Sequence, residues 1–293
     1  MTLVGRPDHV AAIRRGGLRI IEGDREEVER VDAVAELPSG FETDAALLTV
    51  KTFALANAAE GLATVLRAPV PTLLPQNGLG VDTLAEAALA SAGWADPSAW
   101  TVRAVHSIPA TWVSPGVVRA AGTGDILLPE PSGRGARSSH ILRFEQLLSS
   151  AGFSVRTVRD FDREVWRKAL VNAAINPVTA VRGVTNGRLL EEPARGEARA
   201  LLREALAVAR SAGYDFSEAE ALGDLDRVVR ATAANRSSML QDLDRGRPTE
   251  VDTISGALLA LGRSYGLDLP ATRAVVEEVR RCVRESARRA QGS

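Results

Sequence analysis

The chain has 293 residues, 45% hydrophobic and 25% charged, with a formal net charge of −1. That length favours two domains over one compact core, and the composition is that of a soluble globular protein, not a disordered or collagen-like chain. A near-neutral balance gives no basic field for nucleic acid or an anionic membrane. No apolar run approaches the roughly 18 residues of a membrane span, and no secretory signal opens the chain, so a cytoplasmic protein is expected. Cys282 is the only cysteine, which excludes an intrachain disulfide and a cysteine metal cluster. His9, His106 and His140 lack metal-ligand spacing and read as ordinary exposed or packed side chains.

The elements begin with a strand at 2–5 and a short helix at 10–15. Segments 18–21 and 28–34 flank a charged turn at 22–27 and predict a β-hairpin insertion. A buried strand at 45–51, a helix at 53–66, a strand at 70–75 and a helix at 79–92 follow, the alternation of βα units around a mainly parallel sheet. From 102 to 128 glycine-rich breaks separate strands, which predicts an antiparallel end to the sheet. Residues 129–137 read as a loop. After Asp160, a plausible N-cap, the pattern is helical almost throughout: 165–181, 196–212, 217–232, 249–265 and 272–289. The expected division is an α/β domain over 1–159 and an all-helical domain over 160–293, with a ligand expected in the cleft between them.

The densest chemistry lies at 166–177. Lys168, Asn172 and Asn176 stand at i, i+4 and i+8, so a helix puts them in one polar stripe about 12 Å long. An amine and two amides on one face suit a single ligand, and a half-buried lysine is suited to proton donation. A solvated stripe on an amphipathic helix explains the spacing equally well, although asparagine is a poor helix former. A second cluster is Ser237-Ser238-Met239-Leu240-Gln241-Asp242 with Glu250 beyond it. Ser238 either N-caps the short helix that follows or joins its amides in gripping a carboxylate. Glu250 is either a first-turn carboxylate favoured by the helix dipole or a ligand contact. In the first domain Lys51 closes a strand and Gln76-Asn77-Gly78 follows another, at the strand ends where open α/β sheets bind ligands. Asn77-Gly78 is also ordinary turn chemistry.

Together these residues resemble the ketopantoate reductase (2-dehydropantoate 2-reductase) family, NADPH-dependent enzymes with a Rossmann domain and a helical C-terminal domain. Four motifs occur in the family's order: Lys51, the Gln-Asn-Gly turn at Asn77, the Lys168/Asn172/Asn176 helix, and Ser-Ser-Met-Leu-Gln-Asp with Glu250. The resemblance implies reduction of ketopantoate to pantoate in pantothenate biosynthesis, with Lys168 giving a proton to the keto oxygen. It implies Asn172, Asn176 and Asn186 on the substrate's hydroxyl and carboxylate, Ser238 on the carboxylate, and Asn77 on both substrate and cofactor. It places Lys51, Glu250 and Ala110 on the cofactor, and Arg6 on a 2′-phosphate, favouring NADP over NAD. The departure is at the start, where no Gly-x-Gly-x-x-Gly turn occurs and the chain opens at what would be the second strand. The expected fold is therefore Rossmann-like with its first strand and helix missing, and Met1 reads as an internal start of a longer natural product. Two other readings stay open: a reductase of another branched 2-keto acid, and an inactive remnant unable to hold NADPH. The apolar C-terminal helices suit a homodimer.

Overall fold

A computed structural model describes residues 1–120 and 122–291. The chain divides into two compact units: Met1–Val50, Ala54–Gln76 and Asp82–Phe161 form the first, and Lys51–Phe53, Asn77–Val81 and Asp162–Ser293 the second. The short segments at 51–53 and 77–81 thus group with the helical residues rather than with their sequence neighbours.

In the first unit β1 (Thr2–Val4) leads into α1 (Pro7–Gly16). This helix starts where proline's fixed φ suits the first turn, carries Asp8 early and Arg14 and Arg15 late, and stops at Gly17, whose φ of 80° favours glycine. The next two strands, β2 (Leu18–Glu22) and β3 (Arg25–Glu29), pair antiparallel around Gly23-Asp24, with φ of 58° at the glycine as the first central position of a type II′ turn requires. The expected turn over 22–27 is therefore only two residues long, because charged side chains extend along an exposed strand without ending it. The expected strand at 28–34 is also two elements. Its second half, β4 (Asp32–Val34), leaves the hairpin and pairs in parallel with β1.

The expected buried strand at 45–51 shrinks to β5 (Ala46–Leu47), with Leu47 44% exposed. Among the described residues β5 pairs only with β6 (Thr72–Leu74), and β1 only with β4, so each has one bare edge. A strand with ladder bonds on one side only has fewer partners to define it and less cover for its side chains. A 3-10 turn, Thr52–Ala54, precedes α2 (Leu55–Val65). Beyond β6 come α3 (Val81–Ser91), the single turn α4 (Pro97–Trp100) and β7 (Thr101–Arg103), which continues the parallel order β5-β6-β7.

The later strands are β8 (Val105–His106), β9 (Ala110–Ser114), β10 (Val117–Ala120) and β11 (Asp125–Pro129). Antiparallel pairs are present as expected, β9 with β10 and β8 with β11, but β10 also pairs in parallel with β2. His9 Nδ1 accepts the Gly116 N–H at 2.9 Å, tying the β9–β10 turn to α1. Helix α5 (Ala136–Ser150), unread in the sequence, and β12 (Ser154–Val158), parallel to β11, complete this unit. Ile141, Phe144 and Leu148 of α5 join Leu73, Val102, Ile126 and Leu128 of the strands in one core.

The second unit holds α6 (Phe161–Arg182), α7 (Ala194–Ser211), α8 (Glu218–Ala231), α9 (Ser238–Asp244), α10 (Ala257–Ser264) and α11 (Pro270–Gln291). A 3-10 segment, Asn186–Leu190, follows α6, and a wide π-type turn, Asp252–Gly256, precedes α10. Leu170, Ala174 and Val178 of α6 gather with Leu202, Ala205 and Leu206 of α7, Leu225 of α8 and Leu258 of α10. Among the described residues no helix is long and apolar enough to cross a membrane, and no group of three or more His, Cys, Asp or Glu is placed to hold a metal.

Glu204 on α7 caps α11, accepting Ala271 N at 2.8 Å and Thr272 N and Oγ1 at 2.7 Å. Glu204→Ala is expected to cost about 2–3 kcal/mol, since it strands donors bonded to a charged acceptor. A lower urea midpoint at unchanged m-value checks this.

Candidate active site

Helix α6 is buried on almost every side: Val165, Trp166, Ala169, Leu170, Val171, Ala173, Ala174 and Ile175 are all in the core. Lys168 and Asn172 are half-buried, and Asn176 is 6% exposed. A solvated stripe is therefore not what α6 carries. Asn176 thus carries a side-chain amide into the core, where an amide needs a partner from the protein or from a ligand. Pro177 sits inside the helix without an N–H to give four residues back.

Asn186 lies at the start of the 3-10 segment and is also buried. Its Nδ2 donates to Thr232 Oγ1 at 2.9 Å and its backbone N–H to Asn235 O, while Oδ1 is buried without a partner. Of the two readings of Ser238, the structure removes the N-cap: Ser237 Oγ accepts Leu240 N at 3.2 Å, and the helix begins one residue later. Ser238 is left exposed, its hydroxyl unused by the cap. Two adjacent serines offered the sequence a choice that only the backbone angles decide.

Glu250 is 6% exposed and holds the segment at 51–53. Its Oε1 accepts Thr52 N at 3.1 Å and Thr52 Oγ1 at 3.0 Å, and its Oε2 lies 3.5 Å from Lys51 Nζ. Lys51 Nζ also donates to Asp242 Oδ2 at 2.9 Å, with 38% of its side chain exposed. Burial alone would lower the Lys51 ammonium, but the Glu250 charge and the Asp242 bond outweigh it and hold the group above its ordinary value. Burial pushes the Asp242 carboxyl up, with the Lys51 bond and charge opposing it. Asp242 is thus a partner that sequence reasoning quoted only as part of a motif; its spacing from Glu250 gave no sign that both meet one lysine.

Thr52 Oγ1 also reaches Asn77 O at 3.1 Å. Asn77 Oδ1 is buried without a partner, and Gly78 takes φ of 103° with the place of a Cβ only 2.8 Å from Thr253 O in the wide turn. The Asn-Gly pair is therefore more than ordinary turn chemistry, because the backbone approaches another too closely for any side chain. The structure gathers Lys51, Asn77, Lys168, Asn172, Asn176, Asn186, Ser238 and Glu250 into the second unit, and leaves Arg6 and Ala110 in the first. Arg6 is exposed, its Cζ 5.9 Å from the centre of the Trp112 ring, and Ala110 opens β9 two residues before that tryptophan.

Two family models match the chain, one described as ketopantoate reductase PanE/ApbA over residues 1–133 and one as its C-terminal part over 160–283. The 2-dehydropantoate 2-reductase of Halobacterium salinarum is 32% identical over 291 residues, 97% of this chain and 91% of that protein. That of Archaeoglobus fulgidus is 39% identical over 166 residues, 56% of this chain and 55% of that protein. The crystal structure of a PanE/ApbA family ketopantoate reductase from Ralstonia eutropha JMP134 matches with a TM-score of 0.84 at 27% identity, covering 97% of this chain and 91% of that one.

Lys51 in its raised state supplies stability that is complete below the ordinary lysine value of 10.5 and is lost as pH rises through the folded value. The stability gap between the unsubstituted chain and Lys51→Met should hold steady below pH 10.5 and narrow above it, as read by denaturation at a series of pH values. Glu250→Ala strands the Thr52 N–H, while the Thr52 hydroxyl keeps Asn77 O and Lys51 keeps Asp242, and is expected to cost about 1–3 kcal/mol in the same measurement.

Proposed function

We propose a substrate and a cofactor for a chain that belongs to the ketopantoate reductase family and is an oxidoreductase of that family: it reduces 2-dehydropantoate to pantoate with NADPH, a step of pantothenate biosynthesis. The observation that carries this reading is the α6 stripe, where a lysine and two asparagines share one face of a buried helix.

NADPH, when bound, supplies the hydride that reaches the keto carbon. Negative charge then develops on the keto oxygen, and Lys168 is the group that protonates it. Fixed donors around a developing alkoxide stabilise it more than water does, since they need no reorganisation. Asn172, Asn176 and Asn186 take the substrate's hydroxyl and carboxylate, and Ser238 offers its exposed hydroxyl to the carboxylate. The segment from residue 160 onward serves as the substrate domain, and residues 1–159 as the cofactor domain.

The residues at the two ends of the dinucleotide fit the group. Asn77 presents a buried, unpartnered Oδ1 beside a glycine, next to Lys51 and Glu250, and Ala110 leaves room for the nicotinamide side. Arg6 presents an exposed guanidinium, suited to a 2′-phosphate and hence to NADP over NAD. The 293 residues hold no Gly-x-Gly-x-x-Gly turn, so the pyrophosphate has no glycine cradle among them. We place the enzyme in the cytoplasm as a homodimer.

Fluorescence titration should show tighter binding of NADPH than of NADH, with Arg6→Ala erasing the difference. Lys168→Ala should lower kcat by about 100-fold or more, the range of a general acid, with KM changed only a few-fold. An unchanged kcat would remove Lys168 as the proton donor.

A further inference from the structure

Two hydroxyls outside the proposed set of contacts meet inside the second unit. Thr179 on α6 is fully buried and Ser237 nearly so, and their oxygens are 2.7 Å apart. Thr179 Oγ1 also lies 2.8 Å from Ile175 O and 3.1 Å from Asn176 O. Each hydroxyl has one proton to give. Every proton finds an acceptor when Leu240 N–H gives to Ser237 Oγ, the Ser237 hydroxyl bridges to Thr179, and the Thr179 hydroxyl gives to the Ile175 carbonyl. The serine cap itself needs only its bond to Leu240 N, and the rest of this chain of bonds satisfies two buried hydroxyls. What the Thr179 end adds is position: it reaches the peptide of Asn176 at one end and the residue before Ser238 at the other.

We infer that Thr179 is a positioning residue, holding Asn176 on α6 and Ser238 on α9 at the separation that a keto acid's hydroxyl and carboxylate need. The inference rests on the substrate reading above. A ligand gripped from two elements loses affinity when one shifts, even with both gripping side chains intact. The effect falls on binding, because the proton donor Lys168 lies three helical turns away from Thr179.

The test measures KM and kcat for 2-dehydropantoate, calorimetric Kd for pantoate, and melting temperature. The variants are Thr179→Val, Ser237→Ala, the two combined, Thr179→Ser, and Ser217→Ala as a control. Ser217 caps α8, its side chain accepting Glu220 N at 3.0 Å, and plays no part in the site. Thr179→Val and Ser237→Ala should each raise KM and Kd roughly tenfold while kcat stays within about twofold, the pattern of lost ground-state positioning. The double variant should be no worse than either alone, because both remove the same bond. Thr179→Ser should restore affinity, and Ser217→Ala should lower the melting temperature without moving KM. Should Thr179→Val fail to fold, Ser237→Ala carries the same expectation. Unmoved KM and Kd in a folded variant that melts earlier would overturn the inference, leaving the pair a purely structural bond. An unsubstituted chain that neither binds pantoate nor turns over 2-dehydropantoate would instead remove the substrate reading, and this inference with it.

Discussion

Burial of α6 on nearly all sides is the constraint from which the rest follows. A helix in that position can carry polar side chains only where something other than solvent satisfies them. Thr179 on α6 is satisfied within the protein through Ser237 and its own helix carbonyls, whereas Asn186, just beyond the helix, keeps a buried Oδ1 without a partner. The first polar group is completed by the fold itself and the second is left open.

A second economy concerns the segments at 51–53 and 77–81. Both are short excursions of backbone that group with the helical unit, and such excursions need anchors. Glu250 supplies them by accepting a backbone N–H, a hydroxyl and an ammonium with a single carboxylate, and Asp242 takes a further ammonium proton. A carboxylate used this way is worth more than a surface ion pair, because removing it leaves the buried Thr52 N–H unpaired. The same residues stand beside the unpartnered Asn77 Oδ1, so the anchor and the proposed cofactor contact share one neighbourhood.

Much of this was legible beforehand. The helices of the second unit were readable to within a few residues because their apolar periodicity is long and their punctuation clear, as with Ser217 before α8 and Gly266 with Pro270 before α11. The family was legible because its motifs are separated and ordered, and the models and relatives bear it out. Strands were less legible. β4 was hidden in a run that looked like the arm of a hairpin, and β5 looked long because apolar residues continue past Leu47 into backbone with no ladder. Helix α5 escaped because its apolar residues are spaced among serines and arginines that mimic a loop. Of the candidate site, the Lys168, Asn172 and Asn176 stripe could be read from spacing, but only the burial of α6 sets it apart from a solvated face. The meeting of Lys51 with Asp242 and Glu250 was not, since it joins residues 191 positions apart. Nor could sequence tell which of two serines caps α9.

The wide turn at Asp252–Gly256 sits between Glu250 and the core-facing residues of α10. Such a turn accommodates one residue more than a regular helix, and each helical residue advances the phase by about 100°. Upstream of it the chain is phased so that Glu250 faces Thr52, and downstream so that Leu258 enters the core and Gly262 admits Leu269, whose side chain leaves no room for a Cβ there. Deleting one residue from the turn would let the ladder close regularly and rotate one of those two surfaces away from its partner. The surplus residue is what lets a single helix answer to two differently phased neighbours, so length in this stretch is constrained more tightly than composition.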